Sequence, residues 1–381
     1  MSAASLKAPL WEGSSRPPLV IEGPGRGRWA ALERDWKRLQ REARPANPFL
    51  SWEWQSAWAA CHPAGARPLV VAETFPDGTL AGLVALQRVR RRGLAQVEFL
   101  GQGSGGDELD CLLHPAAPAA VGSRLLAAAL ARGRWSVLRL QSARRGGALA
   151  AAVAGGRGRE EAGEWLPSLA LPASFEQLLG AHSANFRAEV RRRRRAWARR
   201  APLAALECAT TPSAVAAALE QVFRLHNQRR AQRRGRGIFE SPALRAFHLR
   251  AATQLAAASA TRIYLLRTPT AVLAALYGFE AGDRFLYFQS GFDPAWSDAS
   301  PGTVLLSLVI EDCIARGLRH FEFLRGEERY KARWTTERRQ SATLLLGRGP
   351  LGRGYLRLRQ WRARWRAPAP ARRAPESKRG D

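Results

Sequence analysis

Residues 272–334 read VLAALYGFEAGDRFLYFQSGFDPAWSDASPGTVLLSLVIEDCIARGLRHFEFLRGEERYKARW. Val272–Glu280 and Phe285–Gly291 are apolar and aromatic runs joined by Ala281-Gly282-Asp283, which predicts a β-hairpin. Phe292-Asp293-Pro294 reads as a loop. After Ser300-Pro301-Gly302-Thr303, the residues Val304, Leu305, Leu308, Val309 and Cys313 recur at mostly helical spacing as far as Gly317. A third strand, His320–Leu324, ends at Arg325-Gly326. Strand, helix, strand is a crossover that should be right-handed and set its two strands parallel.

The helix start is the chemically informative part. Ser300 suits an N-cap, and Pro301 suits the first turn, where its missing N–H costs nothing. Gly302 leaves the neighbouring amides unobstructed. Free donors and the positive end of the helix dipole then converge on one point, which is an anion site. The same residues equally suit an ordinary capped helix.

Taken whole, the stretch resembles the core of the GNAT acyltransferase fold. Three segments are more narrowly similar to the CelD-like family: Leu286–Pro294, Ser300-Pro301-Gly302, and Phe321–Trp334 with its Leu324-Arg325-Gly326-Glu327-Glu328 and Tyr330-Lys331. That family is associated with bacterial cellulose and exopolysaccharide biosynthesis, and the resemblance extends more weakly from about Asn47 to about Gly347. It implies an acyltransferase, an N-acetyltransferase in the first instance, using acetyl-CoA or another acyl-CoA and no metal. Its acceptor would be a small molecule or a saccharide. Ser300, Gly302 and Thr303 would hold the diphosphate. The pantetheine arm would run where two parallel strands diverge, beside Gln289, Ser290 and Gly291. Tyr330 would donate a proton to the departing sulfur, and Lys331 would steady developing negative charge. Base candidates are Glu322, Glu327 and Glu328. Glu322 alternates with Phe321 and Phe323, so it serves only if its face of the strand is the cleft. Alternatively, Tyr330 and Trp334 pack as a pair and the acidic groups pair with Arg325 or Arg329.

The same order of elements occurs earlier. Leu69–Glu73 and Leu80–Arg88 flank Pro76-Asp77-Gly78, and Gln96–Leu100, a loop, helix Ala116–Ala131 and strand Trp135–Leu140 follow. We therefore expect an α/β protein of tandem GNAT-like units, each a mixed central sheet flanked by helices. The expected divisions are a flexible 1–19, a first unit 20–163, a second unit 164–348 with the acyl-CoA site, and a basic 349–381, disordered at its end. Gly/Ala-rich Gly146–Gly163 reads as a boundary loop. The first unit lacks Ser-Pro-Gly, but Asp107 or Asp110 could meet a substrate hydroxyl or simply sit in a turn. Trp52, Trp54 and Trp58 follow Asn47-Pro48-Phe49 and suit either a core or a sugar-stacking surface, packing being the usual outcome.

The chain has 381 residues and a formal net charge of +28, with only four lysines among its 60 basic residues. Such charge favours acidic surfaces and phosphates in a salt-dependent way. Arg191–Arg195 is an unbroken run on a predicted helix, either a solvated face or a contact to an anionic partner. His226 and His248 read as core-edge histidines. Tyr355, Leu358, Trp361 and Trp365 interleave with arginines in a basic amphipathic segment that suits either the protein body or an anionic membrane surface. Four scattered cysteines argue against a disulfide framework or metal site. No signal segment or membrane-spanning run is legible, so a cytoplasmic protein is expected. Two other classes stay open. One is a Fem-like transferase taking an aminoacyl group from tRNA, although no long inserted helical hairpin is legible. The other is a non-catalytic binding protein on the same fold.

Overall fold

The strands are β1 (Leu19–Glu22), β2 (Arg67–Thr74), β3 (Leu80–Arg91), β4 (Leu94–Phe99), β5 (Leu112–Leu113), β6 (Val137–Ala143), β7 (Arg159–Ala170), β8 (Ala205–Ala209), β9 (Thr261–Arg267), β10 (Val272–Ala281), β11 (Arg284–Phe292), β12 (His320–Glu322) and β13 (Arg338–Gly347). The helices are α1 (Arg26–Glu42), α2 (Trp52–Cys61), α3 (Ala120–Ala131), α4 (Ala148–Gly155), α5 (Phe175–Gly180), α6 (Ala184–Arg200), α7 (Pro212–Gln232), α8 (Pro242–Ala257), α9 (Pro301–Ala315) and α10 (Gly349–Arg366). This computed structural model describes residues 17–23, 26–61, 67–232, 238–326 and 328–366. Arg229–Gly237 reads from the sequence as a basic loop, but Arg229–Gln232 continue α7; residues 233–237, with the expectations for 1–16, for the tail 367–381 and for Glu327, lie outside the described residues.

The expected duplication is present. In the first half β2, β3 and β4 form an antiparallel meander, α3 follows, and β6 returns parallel to β4. In the second half β9, β10 and β11 form the meander, α9 follows, and β12 returns parallel to β11. Short joints such as Gly282, at φ 65°, make these hairpins local events. The fold is a mixed α/β sheet flanked by helices, ordered β1-β2-β3-β4-β6-β13-β7-β12-β11-β10-β9-β8, with β5 on β3.

The two halves are joined through β7 and β13. β7 pairs with β12 along Ser168–Ala170 and with β13 along most of Arg159–Pro167. β13, the last strand, lies between β7 and β6 of the first half. Gly146–Gly163 is not the expected loop, because it forms α4 and the start of β7. Its alanines are strong helix formers, and Asp110 accepts from the amides of Ala148 (2.9 Å) and Leu149 (3.0 Å) at the helix start. Asp110 is thereby occupied as a cap.

Two apolar cores sit on opposite sides of the second-half sheet. Phe285, Phe321, Val309 and Trp197 pack among α5, α6 and α9. On the other side Trp54 lies edge-on to Phe247 (4.8 Å between centroids) and to Phe279 (5.7 Å). The aromatics after Asn47 thus fill a core shared by both halves. Asn47 fixes their entry by accepting from the Phe49 amide and donating to the carbonyls of Asp107 and Glu108.

Candidate active site

β11 and β12 pair only over Arg284–Leu286 and His320–Glu322. Beyond that point β11 stays with β10, while the Phe323 amide turns to the Pro167 carbonyl at 2.9 Å. The sheet therefore opens. Opposite the opening, the β10–β11 register shifts between Tyr277 and Gly278 and passes over Phe288, a bulge that bows β11 out of its ladder. In the first half the corresponding gap is filled. Leu109 bridges to Ala143, its amide donating to the Ser142 carbonyl and its carbonyl accepting from Arg144. One half keeps an open cleft and the other closes it with its own loop.

Two adjoining cavities occupy the cleft and share Tyr287, Ser290, Arg229 and Tyr330. The first runs along Ser290, Gly291 and Phe292 to the start of α9 at Ser300, Gly302 and Thr303. Ser300 is not the expected side-chain cap. It lies in the left-handed region at φ 55°, with no side-chain capping bond. A 3-10 turn, Pro294–Ala299, runs straight into α9, so Ser300 ends one turn and begins the next. Its carbonyl accepts from Thr303 and Val304, and the residue lines the cavity. Pro301 lacks an N–H, so the Gly302 amide stands at the mouth of the turn. Arg193 Nη1 reaches this point from α6 and donates to Thr303 Oγ1 at 2.9 Å. Arg229 lies over the Phe292 ring at 4.9 Å.

A chain of hydroxyls crosses the cleft. Tyr330 Oη donates to Tyr287 Oη at 3.1 Å, and Tyr287 Oη lies 2.5 Å from Ser290 Oγ. Burial, with the Tyr287 hydroxyl beside it, pushes the Tyr330 phenol well above its ordinary value, so it keeps its proton at neutral pH.

The second cavity is lined by Asp107, His226, His248, Gln289, Arg325, Glu328 and Lys331. Asp107 comes from the first half, and its Oδ1 lies 2.9 Å from the Arg325 guanidinium while its Oδ2 accepts the Arg325 amide. Burial pushes the Asp107 carboxyl up and Arg325 opposes that shift. Lys331 is buried; its Nζ donates to the Arg325 carbonyl at 2.7 Å and pairs with Glu328 at 2.9 Å. Its ammonium thus pins the segment that carries Tyr330.

His226 is the functional candidate that the sequence reading passes over. Its backbone lies against β11 because residue 291 is glycine: a Cβ there would stand 2.4 Å from the His226 nitrogen. Its Nδ1 lies 3.3 Å from the Ser290 carbonyl, so this is the nitrogen that carries the proton. Nε2 is buried and without a hydrogen-bond partner. Burial lowers its pKa to about 4, leaving a neutral ring whose buried Nε2 lone pair is unpartnered beside the second cavity. Only its placement beside apolar helical positions was visible in the sequence, and that is an ordinary core pattern.

The remaining expected residues divide plainly. Ser290, Gly291, Ser300, Gly302, Thr303 and Tyr330 are brought together in the first cavity, and Gln289 and Lys331 lie in the second. Glu322 is not brought to the cleft. Phe321 and Phe323 face the α9 core, so Glu322 points to the other side of the sheet, where its Oε2 accepts from Arg339 Nη2 at 2.9 Å. It lines a separate cavity with Glu108, Arg284 and His320. The basic helix is also partly spoken for. Arg191 pairs with Glu176, Arg193 with Glu189 and Arg194 with Glu311, while Arg192 and Arg195 are exposed. Among the described residues no cluster of His, Cys, Asp and Glu could hold a metal ion, and no helix is long and apolar enough to cross a membrane.

Residues 184–332 match the family described as acetyltransferase (GNAT) domain. No curated protein matches the chain. Among solved structures, FemX is similar with a TM-score of 0.58 at 9% identity, covering 86% of this chain and 98% of that one. The C-terminal domain of a putative lysylphosphatidylglycerol synthetase from Agrobacterium fabrum gives a TM-score of 0.53 at 10% identity, covering 86% and 96%. L-PGS from Bacillus licheniformis gives 0.52 at 11% identity, covering 87% and 96%. At such identities the likeness is one of fold. Residues 184–332 thus match a GNAT domain, within a mixed α/β architecture whose first half repeats the same element order.

Proposed function

We propose that the GNAT domain transfers an acyl group from an acyl-CoA, acetyl-CoA in the first instance, to an acceptor that enters through the second cavity. What carries this reading is the hydroxyl chain Ser290–Tyr287–Tyr330 in the opening between β11 and β12, beside the start of α9. The diphosphate suits the Gly302 amide and the dipole of α9. The thioester arm suits the opening. The acceptor nucleophile forms a C–N or C–O bond to the acyl carbon, and the C–S bond breaks. Tyr330 gives its proton to the thiolate and recovers one through Tyr287 and Ser290. His226 Nε2 takes the proton that the acceptor sheds. A saccharide or saccharide precursor is the proposed acceptor, on the resemblance of Phe321–Trp334 to the CelD-like motif.

A second reading is favoured by Arg229 and Arg230 at the second cavity and by the net charge of +28. Here the donor is an aminoacyl-tRNA, as the lysylphosphatidylglycerol synthetase likeness invites, and the same cleft holds its acyl end. Thermal unfolding with coenzyme A or with tRNA, at several salt concentrations, separates the two. The first reading expects a rise with coenzyme A that Gly302→Glu diminishes. A rise with tRNA alone would replace it with the second, and a rise with neither would leave a binding protein.

A further inference from the structure

We propose that α10 is a membrane-surface helix that seats this protein on an anionic lipid bilayer. α10 docks by one face only. Gly352 lies so close to the preceding backbone that a Cβ would stand 2.0 Å from the Ser136 carbonyl oxygen, and no larger residue fits. On the same side Arg159 donates to the Leu356 carbonyl at 3.0 Å, and Arg359 pairs with Glu161 of β7 at 2.8 Å. These contacts fix the rotation of the helix about its axis.

The opposite side is apolar and uncovered. Leu351 is 71% exposed, Leu358 47%, Trp361 56% and Trp365 75%. At 3.6 residues per turn these four fall within an arc of about 80°. Trp361 and Trp365 lie against each other, 5.9 Å between ring centroids, and extend the stripe as one slab. Stray exposed hydrophobic residues are common, but a continuous stripe on a helix already anchored by its other face is a contact surface.

Charge names the occupant. The helix carries six arginines and no acidic residue, and Arg353, Arg357 and Arg362 are exposed beside the stripe. Tryptophan and leucine between flanking arginines is the composition of a helix lying in the headgroup region, with arginines on lipid phosphates and aromatics at the acyl boundary. A second copy fits poorly, since stripe-to-stripe contact would bring arginine rows together on chains each of +28 charge. A nucleic acid would gain nothing from Leu351 and Leu358.

The test uses the whole chain and vesicle flotation. Two vesicle types serve: phosphatidylcholine alone, and equal parts phosphatidylcholine and phosphatidylglycerol. The expected result is flotation with the mixed vesicles only, weakened by salt. Trp361→Ser with Trp365→Ser keeps every charge and should weaken partitioning about tenfold or more, with an unchanged melting temperature because both rings are exposed. Arg357→Gln with Arg362→Gln keeps the stripe and should also weaken it. Unaltered flotation of the tryptophan variant would overturn the proposal, because the overall charge would then suffice. Failure of the native chain to float would overturn it too. So would a native dimer by light scattering that the tryptophan variant dissolves without any vesicle binding, which would make the stripe a contact between copies.

Discussion

Tyr330 and His226 stand on either side of one junction, and each can be tested alone. Tyr330→Phe removes the proposed proton donor while keeping the ring that packs toward Tyr287. Turnover should fall about 10²-fold with coenzyme A affinity nearly unchanged, as for loss of a single acid–base group; full activity of the variant would take Tyr330 out of the mechanism. His226 makes a prediction about stability. Its ordinary pKa of 6.5 is lowered to about 4 by burial, so between those values the unfolded chain binds more protons than the folded one. Stability is therefore fully present above about pH 6.5 and is lost as pH falls toward 4, by roughly 3 kcal/mol from this group. His248, lowered to about 3, continues the loss. His226→Gln should flatten the decline of melting temperature across that window, and a decline as steep as the parent's would refute the assignment. The place of Tyr330 near the cleft was legible because a motif surrounds it. The place of His226 was not, since it depends on the approach of α7 to Gly291, two elements far apart in sequence.

At the scale of elements, the proposed function rests on the start of α9 as the place that receives the donor's diphosphate. Gly302→Glu sets a carboxylate among the amides that would receive the diphosphate, and its Cβ would meet the Phe292 ring at 3.3 Å. Calorimetry should show coenzyme A affinity falling by about tenfold, about 1.4 kcal/mol, with the helix still folded; unchanged affinity would move the diphosphate elsewhere. This helix was legible from Pro301 and its apolar period, whereas the cap was misjudged. Cap rules assume an extended residue before the helix, and here a 3-10 turn leads straight in and forces Ser300 into the left-handed region. The hairpins were legible because tight turns are local. Gly146–Gly163 was misread for the opposite reason: its small residues resemble a loop until Asp110, far upstream, caps them into α4. Glu322 shows the same limit. Alternation gave its face correctly, but β11 and β12 part only beyond Glu322, and that point is set by the assembled sheet.

At the scale of the molecule, the duplication was readable and the manner of joining was not. Nothing in Arg338–Gly347 says that it belongs between β6 and β7, because pairing partners are chosen by the assembled sheet. A chain ending at residue 337 would leave β6 and β7 each with an unpaired edge inside the molecule. We expect it to be insoluble, or to lack the cooperative unfolding of the whole chain, by light scattering and circular dichroism. A soluble, cooperatively folding truncation would show the two halves to be independent. The placement of β13 also sets an order in time. A ribosome releases β6 and β7 long before β13, roughly 200 residues later for β6. During synthesis the first half can gather its meander but must hold a vacant slot in its sheet. Its completion waits for β13, whose arrival fills that slot and joins the two halves.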